Sequence, residues 1–259
     1  MGKFDDWPKW VDEYSFQTPR FKFVCSVSDY SGKTDANEVS LLKDKSFLEI
    51  YAKKILNQEP RKILEIGFFQ GGMPLLLADM LGPDKIVGVD RNEPSDQLLD
   101  LIQRNGLSST IELIGGVDQA DTERLRSIVD ERFGAEPLDL IIDDCSHCYE
   151  QTKVCFESLF GYLRPGGKYI IEDWGWTHWP GAPWQTDDSP FAGMNSMTNL
   201  ILELVMALGS SDHTIANIEV ASWACVIVTR GHDLPHKAAI DLRAMTNLAG
   251  GRQANLITP

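Results

Sequence analysis

The sequence predicts an α/β fold with a mostly parallel sheet, on three observations. From residue 62 onward, short apolar runs alternate with segments of helical periodicity. Glycine-bearing turns follow several of the runs, and two strand-like runs, Thr214–Val220 and Trp223–Arg230, are separated by only Ala221-Ser222. Strands joined through helices pair in parallel by right-handed crossovers, whereas a two-residue connection makes a hairpin. Seven strands are therefore expected, the last of them antiparallel, with helices on both faces.

The elements follow in order. Apolar residues recur at helical spacing from Glu38 to about Leu56 (Leu41, Leu42, Phe47, Leu48, Tyr51, Ile55). Strands are predicted at Lys62–Gly67, Lys85–Asp90, Thr110–Gly115, Leu138–Asp143 and Lys168–Glu172. Helices are predicted at Pro74–Leu81, Gln97–Asn105, Thr122–Phe133, near Gln151–Leu163, and at Asn195–Leu208. Pro165-Gly166-Gly167 forms the turn into the fifth strand. The first 40 residues, including Ser28–Lys33, read as an irregular or partly helical extension. Residues 174–194 hold Trp174, Trp176, Trp179 and Trp184 with three prolines; so long a loop in a compact domain is usually a lid or a binding loop. The resulting organisation is an extension and helix over 1–58 at the substrate entrance, a catalytic domain over 59–232 with its Trp-rich lid, and a tail over 233–259.

Composition bounds the function. A formal net charge of -14 and the lack of a Lys/Arg cluster exclude broad contact with nucleic acid or anionic lipid. No run of apolar residues suits a transmembrane helix, and MGKFDDWPKW is too polar for a secretory signal. Five scattered cysteines argue against a disulfide framework and for a reducing cytoplasm. Cys145, His147 and Cys148 lack the second ligand pair of a zinc site, so these cysteines are read as packing residues.

The first strand-to-helix turn reads Glu65-Ile66-Gly67-Phe68-Phe69-Gln70-Gly71-Gly72. Its glycines permit a tight turn and close approach of a ligand to the main chain. The spacing departs from the G-x-G-x-x-G of dinucleotide sites, and an acid precedes the first glycine. Asp90, ending the second strand, suits the hydroxyls of a ribose, in an adenosyl donor or in NAD alike. A purely structural glycine turn is the alternative.

Two acidic strand ends complete the pattern: Asp143-Asp144-Cys145-Ser146-His147 and Glu172-Asp173. Neighbouring strands lie about 4.8 Å apart, so four carboxylates would meet at the edge where open α/β sheets bind ligands. Close carboxylates need a cation, a proton or solvent, and a hard divalent ion, Mg²⁺ first, would meet that need. Successive strand residues face opposite ways, so Asp143 is expected to face the cofactor and Asp144 the metal, with Asp144, Glu172 and Asp173 as ligands. Some of these acids could instead cap helices. His147 suits a general base, as the imidazole side chain exchanges a proton in the physiological range.

The acid-x-Gly turn resembles the first motif of class I S-adenosylmethionine-dependent methyltransferases, which have a Rossmann-like fold. That resemblance implies Glu65, Gly67 and Gly71 near the methionine end of S-adenosylmethionine and Asp90 on its ribose. It also puts Asp118 and Gln119, in the loop after the third strand, near the adenine, while Asp121 could instead cap the next helix. Together, Gly-x-x-x-Gly-Gly, Asp-Gln-x-Asp, Asp-Asp-x-Ser-His and Glu-Asp resemble the macrocin- and mycinamicin-type sugar O-methyltransferases, over about residues 60–180. This narrower resemblance implies Mg²⁺ on Asp144, Glu172 and Asp173, with His147 as base. Cys145 stands where those enzymes commonly carry glycine. The expected reaction is methyl transfer to a hydroxyl of a glycosylated small molecule, giving S-adenosylhomocysteine, in a chain that can form a homo-oligomer. Catechol or phenol methylation, a non-catalytic S-adenosylmethionine-binding protein and a dehydrogenase are the rival readings. The tryptophans either wall an acceptor site or anchor their loop.

Overall fold

In a computed structural model, the chain is described at residues 3–4, 7–26, 34–35, 38–181, 184–189, 191–209, 213–222 and 224–245. Ser28–Lys33, Trp223 and the Gly250–Gln253 end lie outside the described residues. A seven-stranded sheet contains β4 (Lys62–Ile66), β5 (Lys85–Val89), β6 (Ile111–Ile114), β7 (Leu138–Asp143), β8 (Leu163–Glu172), β9 (Ile215–Ala221) and β10 (Cys225–Arg230). Its order is β6-β5-β4-β7-β8-β10-β9. The first five of these strands in chain order run parallel, and β10 pairs antiparallel with both β8 and β9. The expected architecture is the observed one.

Period-2 alternation explains why the central strands read as continuous apolar runs. Ile63, Ile86, Leu140, Ile142, Ile170 and Ile227 face one core, with the helices α1 (Lys45–Lys54), α2 (Gly72–Leu81) and α3 (Asp96–Arg104). Leu64, Val87, Ile141, Tyr169, Ile171 and Val226 face the other, with α4 (Thr122–Phe133), α5 (Tyr149–Leu159), α6 (Met197–Leu208) and the short α7 (Leu242–Met245). Strands buried on both faces carry no polar alternation. Chain crossovers run one way from β4 to β5 and β6 and the other way to β7 and β8, so the topological switch lies between β4 and β7.

The amino-terminal region departs from expectation. It builds a second, three-stranded sheet from β1 (Ser15–Gln17), β2 (Lys22–Cys25) and β3 (Val39–Leu41), with β1–β2 antiparallel and β2–β3 parallel. Phe16 and Phe23 stack at 5.1 Å, and Trp7 and Trp10 meet Phe16 edge-on. The helix expected from Glu38 is likewise shorter. Leu41 belongs to β3, and α1 starts only after Asp44, whose carboxylate accepts from Phe47 N. In the segment Val39-Ser40-Leu41-Leu42-Lys43, alternate residues are buried, and the inward series ends on Lys43.

Two further boundaries move. α5 ends at Leu159 and passes through a 3₁₀ turn, so Leu163 pairs with Leu138 as the start of β8. The Pro165-Gly166-Gly167 turn is therefore an irregularity within β8, which resumes its pairing at Lys168 opposite Leu140. α6 begins at Met197, where the Ser196 hydroxyl caps it.

Where β4 ends, Gly67 has φ +92°, and a Cβ there would stand 2.1 Å from the Asp144 carbonyl oxygen. Backbone meets backbone at the switch point. Gly82 also has positive φ but has open space around it. Gly67→Ala is accordingly expected to cost well over the roughly 1 kcal/mol of Gly82→Ala, and denaturant melts of the two variants compare them. Equal losses would show that the close approach carries no stability.

Candidate active site

The carboxyl edge of β4, β5, β7 and β8 opens into a cavity of about 610 Å³. Gly67, Phe69, Asp90, Asn92, Asp144, His147 and Asp173 line it, together with Trp176, Trp179, Trp184 and Phe191. Of the residues expected to act, the cavity thus presents Gly67, Asp90, Asp144, His147 and Asp173. Glu65, Gly71, Gln119, Asp143 and Glu172 are buried, and Asp118 is exposed, with its carboxylate accepting from Ala120 N.

Asp90 follows β5 directly. Its carboxylate accepts from Phe69 N at 2.9 Å and Asn92 N at 2.8 Å, which ties the β4–α2 turn to the β5 tip. Oδ1 also accepts from Asn92 Nδ2 at 3.3 Å, and Oδ2 keeps acceptor capacity for a further partner. Gly71, at φ +75°, is the residue before α2 and packs its backbone on Leu98. Glu65 is only 1% exposed, and its Oε2 has no hydrogen-bond partner among the described residues. Burial, then the neighbouring Asp144, pushes its carboxyl well above the usual range. A buried acceptor without a donor is costly unless something binds it.

Asp143 and Asp144 part company, as strand alternation requires. Asp144 faces the cavity. Asp143 points into the protein, not toward the cavity, and accepts from Gln119 Nε2 at 2.6 Å and Tyr169 Oη at 2.8 Å. Gln119 in turn accepts from the Ser146 hydroxyl. Asp143 and Gln119 therefore brace the loop carrying His147 from beneath, and neither lines this cavity. Asp121 accepts from Arg124 N and caps α4.

Asp144, His147 and Asp173 come together. His147 Nε2 lies 3.9 Å from Asp144 Oδ1 and 4.0 Å from Asp173 Oδ2, and one ligand atom from each fits within a 4.8 Å cluster. His147 and Asp173 both hold left-handed backbone, at φ 55° and 50°, as does Phe69 at 47°. Strained conformations of this kind cost of order 1–3 kcal/mol and gather at functional sites. Trp176 Nε1 donates to the His147 carbonyl at 2.7 Å and fixes that turn. Burial raises the Asp173 carboxyl, opposed by His147.

Glu172 does not join them. It is 1% exposed, and its oxygens meet the Tyr51 hydroxyl and, at 2.6 Å, Lys43 Nζ. The same ammonium lies 2.6 Å from Asp144 Oδ2. Burial disfavours the Lys43 charge, but the carboxylates of Asp144, Glu172 and Asp173 outweigh that and hold its pKa well above the ordinary value. Motif reasoning overlooked Lys43 and Tyr51. In the sequence Tyr51 appears only as a member of the helical apolar series, and no local pattern marks Lys43.

The Trp-rich segment is tied down and also lines the cavity. Trp176 stacks on Phe191 at 4.3 Å, Trp184 lies 5.7 Å from Phe191, and Trp179 meets Trp184 edge-on. Trp174 is absent from the cavity wall; its indole reaches toward the Ala221 carbonyl at 3.4 Å. Trp176, Trp179 and Trp184 line the cavity, and Trp174 lies against β9 instead.

Sheet order, switch-point cavity and acidic strand tips define a Rossmann-like fold of the class I methyltransferase type, and residues 64–174 match the model of a methyltransferase domain. The chain resembles two curated relatives over short stretches. The mycinamicin VI 2''-O-methyltransferase of Micromonospora griseorubida is 42% identical over 76 residues, 29% of this chain and 18% of that protein. The demethylmacrocin O-methyltransferase of Streptomyces fradiae is 39% identical over 83 residues, 32% of this chain and 19% of that protein. Among solved structures, the MycE methyltransferase from the mycinamycin biosynthetic pathway, in complex with Mg, SAH and mycinamycin VI, aligns with a TM-score of 0.54. It is 28% identical, over 72% of this chain and 49% of that one. The chain thus spans about a fifth of these curated relatives' length and about half of that structure. Among the described residues, no helix is long and apolar enough to cross a membrane.

Burial pushes the Asp143 carboxyl up to about 7, against the opposing hydrogen bonds of Tyr169 and Gln119. A carboxyl raised on folding contributes stability below its unfolded pKa, near 4, and loses it as pH climbs toward the folded value. Thermal melts from pH 4 to pH 8 should show Asp143→Asn gaining on the parent across that window, by up to about 1.4 kcal/mol per pH unit, and no further above it. Parallel curves would mean that Asp143 is ionised throughout.

Proposed function

We propose that this chain is an S-adenosylmethionine-dependent O-methyltransferase that methylates a hydroxyl of a sugar on a glycosylated small molecule. The observation that carries the reading is the convergence of Asp144, His147 and Asp173 in one cavity with Gly67 and Asp90. Relatives named as O-methyltransferases of mycinamicin VI and demethylmacrocin, and a solved structure that holds Mg, SAH and mycinamycin VI, support the choice of acceptor and of ligands. In this reading residues 59–232 form the catalytic domain, residues 1–58 help close its entrance, and residues 233–259 are a tail.

The residues present suit the groups implied. Asp90 has free acceptor capacity for ribose hydroxyls, and the orphaned Glu65 carboxylate matches the ammonium of a methionine moiety. Gly67 leaves the main chain bare where a donor would lie. Asp144 and Asp173 offer carboxylate oxygens to a hard ion, and Glu172 lies just behind them. When bound, S-adenosylmethionine supplies an electrophilic methyl group, and a divalent ion such as Mg²⁺ lowers the pKa of an acceptor hydroxyl.

The protein's own contribution is placement and proton transfer. His147 Nε2 faces the cavity between two carboxylates, which stabilise the imidazolium formed when it takes the hydroxyl proton. The turn held by Trp176 and Ser146 fixes the direction of that nitrogen. Trp176, Trp179, Trp184 and Phe191 supply flat apolar area for the carbon face of a sugar or an aglycone ring, and exclude water from the reacting oxygen.

Calorimetric titration with S-adenosylhomocysteine should show binding that Asp90→Ala weakens by about tenfold or more. Asp144→Asn, or treatment with a chelator, should abolish methyl transfer to glycosylated acceptors while leaving that binding largely intact. Full turnover in chelator-treated protein would overturn the metal requirement, transfer to catechols but not glycosides would overturn the acceptor class, and binding of NADH alone would overturn the reading itself.

A further inference from the structure

Lys43 occupies the place between Asp144 and Glu172 that a bridging divalent ion would need. Its Nζ is 2.6 Å from an oxygen of each carboxylate, 6% exposed, and 5.0 Å from the Phe47 ring centre. An ion ligated at about 2.1 Å by those same two oxygens would lie within a few ångströms of the ammonium, where like charges repel strongly. Two cations cannot share that seat.

Resting on the methyltransferase reading, we propose that Lys43 is a placeholder cation: it neutralises the strand-tip acids in the metal-free protein and is displaced into the cavity when a divalent ion binds, freeing Glu172 as the third carboxylate ligand. The chain provides for both positions. Lys43 follows β3 and precedes Asp44, the cap of α1, so its backbone is fixed at both ends and only the side chain need move. Leu42 and Lys43 already line the cavity, and its volume accommodates the swung-out butylammonium stem. Tyr51 holds the other Glu172 oxygen, so the carboxylate keeps its position when the ammonium leaves. The remaining Asp144 oxygen and Asp173 face His147 in either state. Exchange of one cation for another leaves the buried acids compensated throughout, as buried charges require.

The competition predicts that metal binding and Lys43 burial exclude one another. With the full chain saturated in S-adenosylhomocysteine, brief labelling by an amine-reactive ester, read by mass spectrometry, should find Lys43 protected without metal. At saturating Mn²⁺ it should be labelled several-fold faster, with Lys45, the first residue of α1, as the unchanged internal reference. Lys43→Met should bind Mn²⁺ about tenfold tighter or more by calorimetry, because no ammonium must be expelled. Binding of Mn²⁺ by Lys43→Met alone would overturn the displacement, since the ammonium would then exclude the ion rather than yield to it. Mn²⁺ binding with Lys43 still protected would overturn the proposal, as would equal or weaker affinity in a folded Lys43→Met. Failure of both proteins to bind Mn²⁺ while S-adenosylhomocysteine still binds would sink this proposal and the metal requirement together, leaving the donor site standing. The labelling arm uses the parent protein, so it decides even where the variant does not fold.

Discussion

Three adjacent parallel strands, β4, β7 and β8, carry acids at or beside their ends on the same edge of one sheet, and the fold must compensate charge there although Glu65, Asp143 and Glu172 are buried from water. Glu65, Asp143, Asp144, Glu172 and Asp173 cannot all ionise in such proximity without help. Each solution observed is a structural commitment. Asp143 is turned inward onto Tyr169 and Gln119, Glu172 is held by Tyr51 and Lys43, and Asp144 shares that ammonium while facing His147. Glu65 is left with an oxygen that nothing described satisfies. The amino-terminal sheet and α1 are therefore more than an appendage: they deliver Lys43 and Tyr51 to the edge that the main sheet leaves overcharged.

The main sheet was legible in the sequence because its signals are local. Apolar runs of strand length, glycine turns and a two-residue hairpin connection specify seven strands without knowledge of what they touch. The same holds for acids at strand ends, since the end of a parallel strand at the switch point is where ligands bind. What escaped was non-local. β1, β2 and β3 are three or four residues long, and their pairing is fixed by aromatic contacts from Trp7 and Trp10 to Phe16 and on to Phe23, which spacing does not disclose. Leu41 and Leu42 fit a helical pattern as well as a strand, and only the Asp44 cap separates the two.

At the site, sequence reasoning found the residue types but assigned some directions wrongly. Alternation correctly separates Asp143 from Asp144, yet it cannot say which of two opposite faces opens to a cavity, and Asp143 proves to face Gln119 beneath the loop. Glu172 and Asp173 are consecutive and take different partners: Glu172 meets Lys43 and Tyr51, and Asp173 meets His147. Lys43 could not be found from any motif, since its partners lie 101 and 129 positions away along the chain.

The bond from the Trp176 indole to the His147 carbonyl joins two parts of the cavity that chemistry would treat separately. One end of that bond belongs to the aromatic lining, the other to a left-handed turn that the Ser146 hydroxyl also holds. A guest that pushes the indole aside therefore slackens the imidazole's mooring. Under the proposed function, the fit of an acceptor against the indole and the aim of the candidate base would thus be linked through one hydrogen bond.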